Sequence, residues 1–156
     1  MLILAALFAA IYAPDVGHGF IKDDFIWIAK SRVESLSDMV SLFRAPTGFF
    51  RPVVSLSFAA NSTVCGLAPR CYGVTNLALT AACAVAIVRL AAALGLGRGA
   101  ATAAGALWAF NIHGIDMATL WISGRTSLLL TLLATIAATA FVRERYRLAA
   151  IVTIAA

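Results

Sequence analysis

Charged side chains are scarce in this chain. Only 12% of its 156 residues are Asp, Glu, Lys or Arg, and only seven are acidic. An average soluble domain carries about 25% charged residues. Hydrophobic residues make up 62% of the chain and the mean hydropathy is +0.95. A chain of this size cannot bury so much apolar surface in a water-soluble core, so the scarcity of charge indicates an integral membrane protein.

Residues that bind metals through sulfur or nitrogen are also few. The chain has three cysteines and two histidines, with no C-x-x-C pair and no Cys/His cluster. This pattern argues against a zinc site. Cys65 and Cys71 fall in one predicted outer loop, where they either form a disulfide in an oxidising compartment or remain free thiols. Cys83 fits a small apolar position within a helix.

The net charge of +5 does not indicate a nucleic-acid partner. A nucleic-acid-binding face usually interleaves basic and aromatic residues, and no such run occurs in this chain. All but two of the twelve basic residues are arginine. The placement of these arginines is better explained by membrane topology. We therefore expect membrane lipids, and no nucleic acid, as partners.

The apolar stretches predict an all-α fold, a polytopic transmembrane helical bundle with about four to five spans. A helix rises about 1.5 Å per residue and the bilayer core is about 30 Å thick, so the first and last stretches are short for a complete span. The first stretch also lacks the basic residues of a signal peptide. We therefore expect the N-terminal part of a larger membrane domain. The predicted spans lie near residues 2–13, 71–96, 100–112, 126–142 and 148–156.

Residues 14–70 form a long polar loop in which we expect short juxtamembrane helices. Ser35 or Ser37 is a candidate N-cap of one such helix, and Pro52 suits the first position of another. The short loops with Arg98 and with the arginines of residues 143–147 are expected on the cytoplasmic side, because basic residues favour that side. The long loop and residues 113–125 would then both lie at the outer face.

Two adjacent carboxylates, Asp23 and Asp24, follow the first apolar segment. Three interpretations remain open for them. One of them caps a helix N-terminus; one is a general base, because a carboxylate near a low-dielectric surface can accept a hydroxyl proton; or they bind a hard divalent cation, which prefers oxygen ligands. An Asp-Asp pair alone does not decide between these roles.

Four more residues at the predicted outer face could bind an anionic substrate. His113 and Asp116 are three residues apart, which places them on one helical face or in a hydrogen-bonded pair. Arg125 begins a span on the side that basic residues avoid, so it needs an acidic side chain, a lipid headgroup or a substrate phosphate as partner. Arg51, between aromatic residues and Pro52, could pair with a phosphate or with lipid headgroups.

Several short motifs together resemble a known family. They are F-x-x-D-D at residues 20–24, F-R-P at 50–52, Y-x-x-x-N at 72–76 and W-I-S-G-R at 121–125. In type, order and spacing they resemble the N-terminal part of GT-C-type polytopic glycosyltransferases that use polyprenyl-phosphate sugars, a group related to the tetratricopeptide-bearing membrane O-mannosyltransferases. The His-Pro-x-His found in many members is here Asn111-Ile112-His113-Gly114, without the proline.

The resemblance implies a multi-span α fold. It also implies a glycosyltransferase that moves a sugar from a lipid-linked donor to an acceptor hydroxyl at the outer face. It implies a catalytic carboxylate in the first outer loop, which corresponds to Asp23 or Asp24. Arg51 and Arg125, with His113 as a further donor, would bind the substrate and stabilise its leaving phosphate, and Asp116 is a further candidate for substrate binding. The residues do not define a cofactor, and a divalent cation bound by the two aspartates is compatible with this chemistry.

The expected location is a bacterial inner membrane, as a multi-pass protein with an outward-facing site. The residues do not define the donor sugar or the acceptor. Two alternatives to an enzyme stay open. The first is a non-catalytic membrane scaffold or transport subunit, and the second is an inactive fragment. A transporter would place charges near the bilayer midplane, whereas these charges cluster at one predicted surface.

Overall fold

A computed structural model describes residues 2–43, 51–111 and 119–155. Within these ranges the chain is all-α, without a β-strand. Two 3₁₀ turns, Ala13–Asp15 and Ile122–Gly124, accompany the α-helices. The α-helices of the described ranges are α1 Leu2–Tyr12, α2 Asp24–Lys30, α3 Leu36–Ser41, α4 Pro52–Cys65, α5 Pro69–Ala93, α6 Arg98–Ala109, α7 Arg125–Val142 and α8 Tyr146–Ala155.

Two helical stretches of the described residues are long and apolar enough to cross a membrane, Pro69–Ala93 and Ile122–Val142. They correspond to the spans predicted near 71–96 and 126–142. The other predicted spans coincide with α1, α6 and α8, which have 11, 12 and 10 residues. Helices of this length reach only about 15–18 Å. In the part of the chain that the structure describes, the four to five expected spans therefore reduce to two helices of spanning length.

Two of the predicted helix starts in the long loop are confirmed. Ser35 is the N-cap of α3, where its side chain accepts from the Asp38 backbone N–H and the Asp38 side chain accepts from the Ser35 N–H. Such a reciprocal pair satisfies two N–H groups that have no partner within the helix. Pro52 occupies the first turn of α4, where its lack of an N–H costs nothing.

The two long apolar helices run in the same direction. The Asn76 Nδ2 donates to the carbonyl of Ile122 at 3.1 Å, and further along both helices the Cys83 Sγ donates to the carbonyl of Leu128 at 3.2 Å. Helix α6 returns along α5 after a turn in which Gly95 has φ +88°, a conformation that favours glycine. Consequently α5 and α7 both begin at the same end of the molecule.

The buried hydrophobic cluster lies at that end, where α2 packs against α4 and the turn Ile122–Gly124, and α4 packs against α5 and α7. Aromatic rings pack around it: Phe20 meets Tyr72 edge-on at 5.3 Å, and Trp27 stacks on Phe58 at 5.8 Å between ring centroids. Offset and edge-to-face pairs of this kind favour a fixed geometry. The fully or nearly fully buried members are Ile28, Val54, Phe58, Tyr72, Ile122 and Leu129.

A disulfide joins Cys65 to Cys71 across the turn between α4 and α5. Of the two interpretations open from the sequence, the structure therefore contains the disulfide. It closes the same end of the molecule, because Cys71 precedes Tyr72 in α5. Cys83 is a buried free thiol within α5, as the sequence indicated.

Candidate functional site

Asp24 is completely buried at the start of α2. Its Oδ1 accepts from the backbone N–H of Ser123 at 2.7 Å and from the Ser123 hydroxyl at 2.5 Å. Its Oδ2 accepts from the Ile21 N–H at 2.9 Å. A buried carboxylate is tolerated when such donors satisfy it. Asp24 therefore connects the long loop to the 3₁₀ turn Ile122–Gly124 that precedes α7.

Asp23, in contrast, is exposed. It occupies the N-cap position of α2, but its side chain makes no capping hydrogen bond to that helix. The helix-cap interpretation of the pair, which assigned a side chain to this bond, therefore does not describe Asp23. Of the two adjacent carboxylates, Asp23 is the one accessible to a substrate, and Asp24 is committed to internal hydrogen bonds.

Arg125 is also completely buried, at the start of α7. Its Nε donates to the Asn76 side-chain oxygen at 2.9 Å, and its terminal nitrogens donate to the carbonyls of Ser57 and Tyr72 at 3.2 and 3.1 Å. Its guanidinium carbon lies 4.4 Å from the Phe58 ring centroid. Hydrogen bonds and an aromatic face together can hold a buried guanidinium.

The sequence predicts an acidic side chain, a lipid headgroup or a substrate phosphate as the partner of Arg125, and the structure places this side chain inside the protein. Its direct partners in the described residues are carbonyl oxygens, an amide oxygen and aromatic rings from α4 and α5. The charge of Asp24 provides additional favourable electrostatics. Arg125 thus connects α7 to α4 and α5 through buried contacts.

Asn76 completes the polar network. Its amide nitrogen donates to the carbonyls of Trp121 and Ile122, both at 3.1 Å, while its oxygen accepts from Arg125. A polar residue within an apolar helix generally has such a partner. Three of the sequence motifs therefore meet in space: residues 20–24 through Asp24, residues 72–76 through Asn76, and residues 121–125 through Ser123 and Arg125.

A cavity of about 110 Å³ opens between α4, α7 and the last turn of α8. Arg51, Thr126 and Ser127 provide its polar wall, at the first residues of α4 and α7. Its remaining lining is apolar: Val53, Val54, Leu129, Leu130, Leu133 and Ala155. The first residues of α7 border this cavity directly after Arg125, so the buried network fixes the position of one of its walls.

The remaining predicted site residues have different outcomes. Arg51 is exposed at the N-cap position of α4 and lines the cavity. His113 and Asp116 lie outside the described residues.

Within the described ranges no group of three or more His, Cys, Asp or Glu could hold a metal ion. All the described hydrogen bonds of Asp24 are to N–H and O–H groups.

Two features of this site are not predicted from the sequence. Asn76 and Ser123 occur within the motifs without a predicted role, although a polar amide inside an apolar helix is a signal for a hydrogen-bonded partner. The cavity is the second feature, because its walls come from α4, α7 and α8, which are separated by many residues in the sequence. No short-range pattern encodes that meeting of helices.

Comparison with known proteins yields no relative from which a family could be assigned. No family model matches the chain, and neither does any curated protein or solved structure.

Proposed function

We propose that this chain belongs to a membrane glycosyltransferase that moves a sugar from a polyprenyl-phosphate donor to an acceptor hydroxyl at the outer membrane face. The observation that carries the proposal is the accessible Asp23, held next to a buried polar network that also sets one wall of the cavity. Three of the motif segments, residues 20–24, 72–76 and 121–125, meet in this buried network, and their meeting supports the resemblance to GT-C-type enzymes.

In the proposed reaction Asp23 is the general base. The acceptor hydroxyl loses its proton to the Asp23 carboxylate as its oxygen attacks the anomeric carbon of the donor. The bond between that carbon and the phosphate oxygen breaks, and the electron pair leaves with polyprenyl phosphate. A phosphate is a good leaving group, so the site has to stabilise its negative charge more than it has to donate a proton.

The cavity is the proposed position for the leaving group. Arg51 would pair with the phosphate, as an arginine can with two oxygens at once. The hydroxyls of Thr126 and Ser127 would add hydrogen bonds, and the neighbouring leucine side chains would contact the first prenyl units. His113 and Asp116 remain proposed substrate-binding residues. Asp24 and Arg125 are proposed to position this machinery from within.

The test is Asp23→Asn in the full chain, reconstituted in membranes and supplied with a panel of polyprenyl-phosphate sugars. We expect release of polyprenyl phosphate to fall by about 10²–10⁴, the usual cost of losing a general base. Membrane insertion and thermal stability should not change, because Asp23 makes no capping hydrogen bond to α2.

Asp15→Asn is the matched control, since Asp15 is another exposed carboxylate of the same loop. It should retain full activity. Equal activity of Asp23→Asn and the unchanged chain would exclude Asp23 as the base. Loss of activity in both variants would point to a general effect of loop charge.

A non-catalytic membrane scaffold is the second candidate, and the small volume of the cavity favours it. About 110 Å³ is below the range of about 300–1,000 Å³ that is usual for ligand pockets. A scaffold would release no polyprenyl phosphate from any donor of the panel, with or without Asp23. The same assay therefore separates the two candidates.

A further inference from the structure

A tight turn at residues 21–24 presents Asp23 to the solvent. Two hydrogen bonds close it between the same two residues. The Asp24 backbone N–H donates to the Ile21 carbonyl at 3.0 Å, and the Ile21 N–H donates to the Asp24 Oδ2 at 2.9 Å. The first of these bonds is that of a β-turn, with Lys22 and Asp23 as its two central residues. The turn therefore fixes the backbone on the N-terminal side of Asp23.

Lys22 has a backbone conformation that residues other than glycine rarely adopt. Its φ is +45°, in the left-handed region, whereas Asp23 has φ −67° and ψ −15°. A positive φ at the first central residue, followed by a negative φ at the second, is the pattern of a type II′ turn, which favours glycine at the first position. Lysine is strained there, because its Cβ approaches the following carbonyl oxygen. Such strain persists only where the surrounding structure holds it, and it is concentrated at functional sites.

The fold holds this turn from both sides. Asp24 is buried, and its Oδ1 accepts from the Ser123 N–H at 2.7 Å, which connects the turn to the residues before α7. The Asp23 carbonyl accepts from the Trp27 N–H at 3.0 Å, and this bond belongs to the first turn of α2. The backbone of Asp23 thus lies between a closed turn and a helix start. The direction of its side chain therefore depends on the left-handed conformation of Lys22.

We propose that Lys22 is a positioning residue, whose left-handed backbone conformation orients the Asp23 carboxylate toward the acceptor hydroxyl. The inference rests on the proposed function, in which Asp23 is the general base. A base must lie within hydrogen-bond reach of the proton that it removes. A displacement of about 1 Å in an active site can lower the rate by about 10²-fold. The contribution of Lys22 comes from its φ and not from its exposed ammonium group.

Substitutions that differ in their tolerance of a positive φ test the proposal, in the full chain and with the polyprenyl-phosphate sugar assay described above. Lys22→Gly adopts this φ freely, whereas Lys22→Val introduces a β-branched residue that avoids it. We expect Lys22→Val to lower kcat by about 10- to 100-fold without a change in the KM for the donor, because the base acts in the transition state. Lys22→Gly should keep kcat within about twofold, since the turn does not need the ammonium group.

Lys30→Val is the matched control, at an exposed lysine with negative φ that ends α2. It should leave kcat unchanged. An unchanged kcat in Lys22→Val would overturn the proposal. A loss in Lys22→Gly as large as in Lys22→Val would assign the effect to the ammonium group, and it would overturn the proposal as well.

The Asp23→Asn background separates positioning from a general loss of structure. If Lys22 acts through Asp23, Lys22→Val should slow the residual reaction of Asp23→Asn by less than about twofold, because the two substitutions remove the same contribution. An equal loss in both backgrounds would show that valine only reduces the amount of folded protein, and it would overturn the positioning role while Asp23 stays the base. Full activity of Asp23→Asn by itself would reject the base, and with it the role of Lys22.

Discussion

Asp23 and Asp24 are adjacent in the sequence and have opposite environments. Asp24 is buried and accepts three hydrogen bonds, whereas Asp23 is exposed and makes no capping bond. The difference arises because only Asp24 faces the turn before α7. The buried charge of Arg125 is likewise stabilised by the Asn76 side chain and by backbone carbonyls of α4 and α5, which lie far from it in the sequence. At the scale of single residues, burial and hydrogen-bond partners therefore decide whether a charged side chain stabilises the fold or is accessible to a substrate.

Asp24→Asn should destabilise the protein. The amide keeps one acceptor oxygen and places an NH2 group at the other position, where either the Ser123 groups or the Ile21 N–H already donate, so at least one buried group would lose its partner. We expect a decrease of about 1–3 kcal/mol in the free energy of unfolding. Thermal unfolding in detergent, followed by tryptophan fluorescence, measures it.

Asp23→Asn is the control for this comparison and should unfold like the unchanged chain. Unchanged stability of Asp24→Asn would show that the hydrogen bonds to Ser123 contribute little to the fold.

At the scale of elements, α5 and α6 pack closely because Gly105 has no side chain. A Cβ at this position would lie 2.8 Å from the Ala84 carbonyl oxygen and 2.5 Å from the Val88 side chain. Small residues let helix backbones approach in this way. The sequence shows that α6 is rich in such residues, and only the packing shows which of them is at the contact.

Gly105→Ala should therefore separate α5 from α6. We expect a destabilisation of about 1–3 kcal/mol, as for an overpacked core, because a backbone carbonyl cannot move aside. Gly99→Ala in the same helix is the control, since no atom lies within 4 Å of a Cβ there. It should be neutral or stabilising, because alanine favours helix over glycine. Unfolding in detergent would compare the two, and equal effects would refute the close contact.

The cap of α3 should respond to pH. The Ser35 hydroxyl, followed by the backbone N–H of Glu34, lowers the pKa of Asp38 below its usual value. A lowered carboxyl pKa stabilises the folded cap above the usual carboxyl value, and this contribution is lost as the pH falls through the lowered pKa. The NMR signal of the Ser35 amide should therefore report opening of the cap only below about pH 4.

Asp38→Asn provides the comparison, since its cap has no carboxyl group to titrate. A Ser35 amide signal with the same pH profile in both proteins would assign the change to another group.

At the scale of the whole molecule, the two ends of the helix bundle differ in character. The two long apolar helices, α5 and α7, begin beside α2, α4 and the disulfide. They end at the other end of the bundle, where α6 and α8 begin. Disulfides persist in oxidising compartments, and basic residues favour the cytoplasmic side. We propose that the first end faces outward. The arginines of the second end are Arg89, Arg98, Arg143, Arg145 and Arg147.

Thiol labelling in intact cells tests this orientation. Ser41→Cys should react with a membrane-impermeant maleimide from outside, whereas Gly99→Cys should react only after permeabilisation. Both positions are exposed, so a difference reports the side of the membrane. The reverse pattern would invert the proposed topology, and labelling of both from outside would argue that α5 does not span the membrane.

The sequence by itself determined the features that depend on neighbours along the chain. Hydrophobicity over consecutive residues defined the two long apolar helices, and local cap chemistry placed Ser35 and Pro52, because these effects act within a few residues. Only the tertiary structure decided which aspartate is accessible, that Arg125 is internal, and where α4, α7 and α8 enclose a cavity. The physical reason is that burial and hydrogen-bond partners come from segments far apart in the sequence, and their meeting is a property of packing.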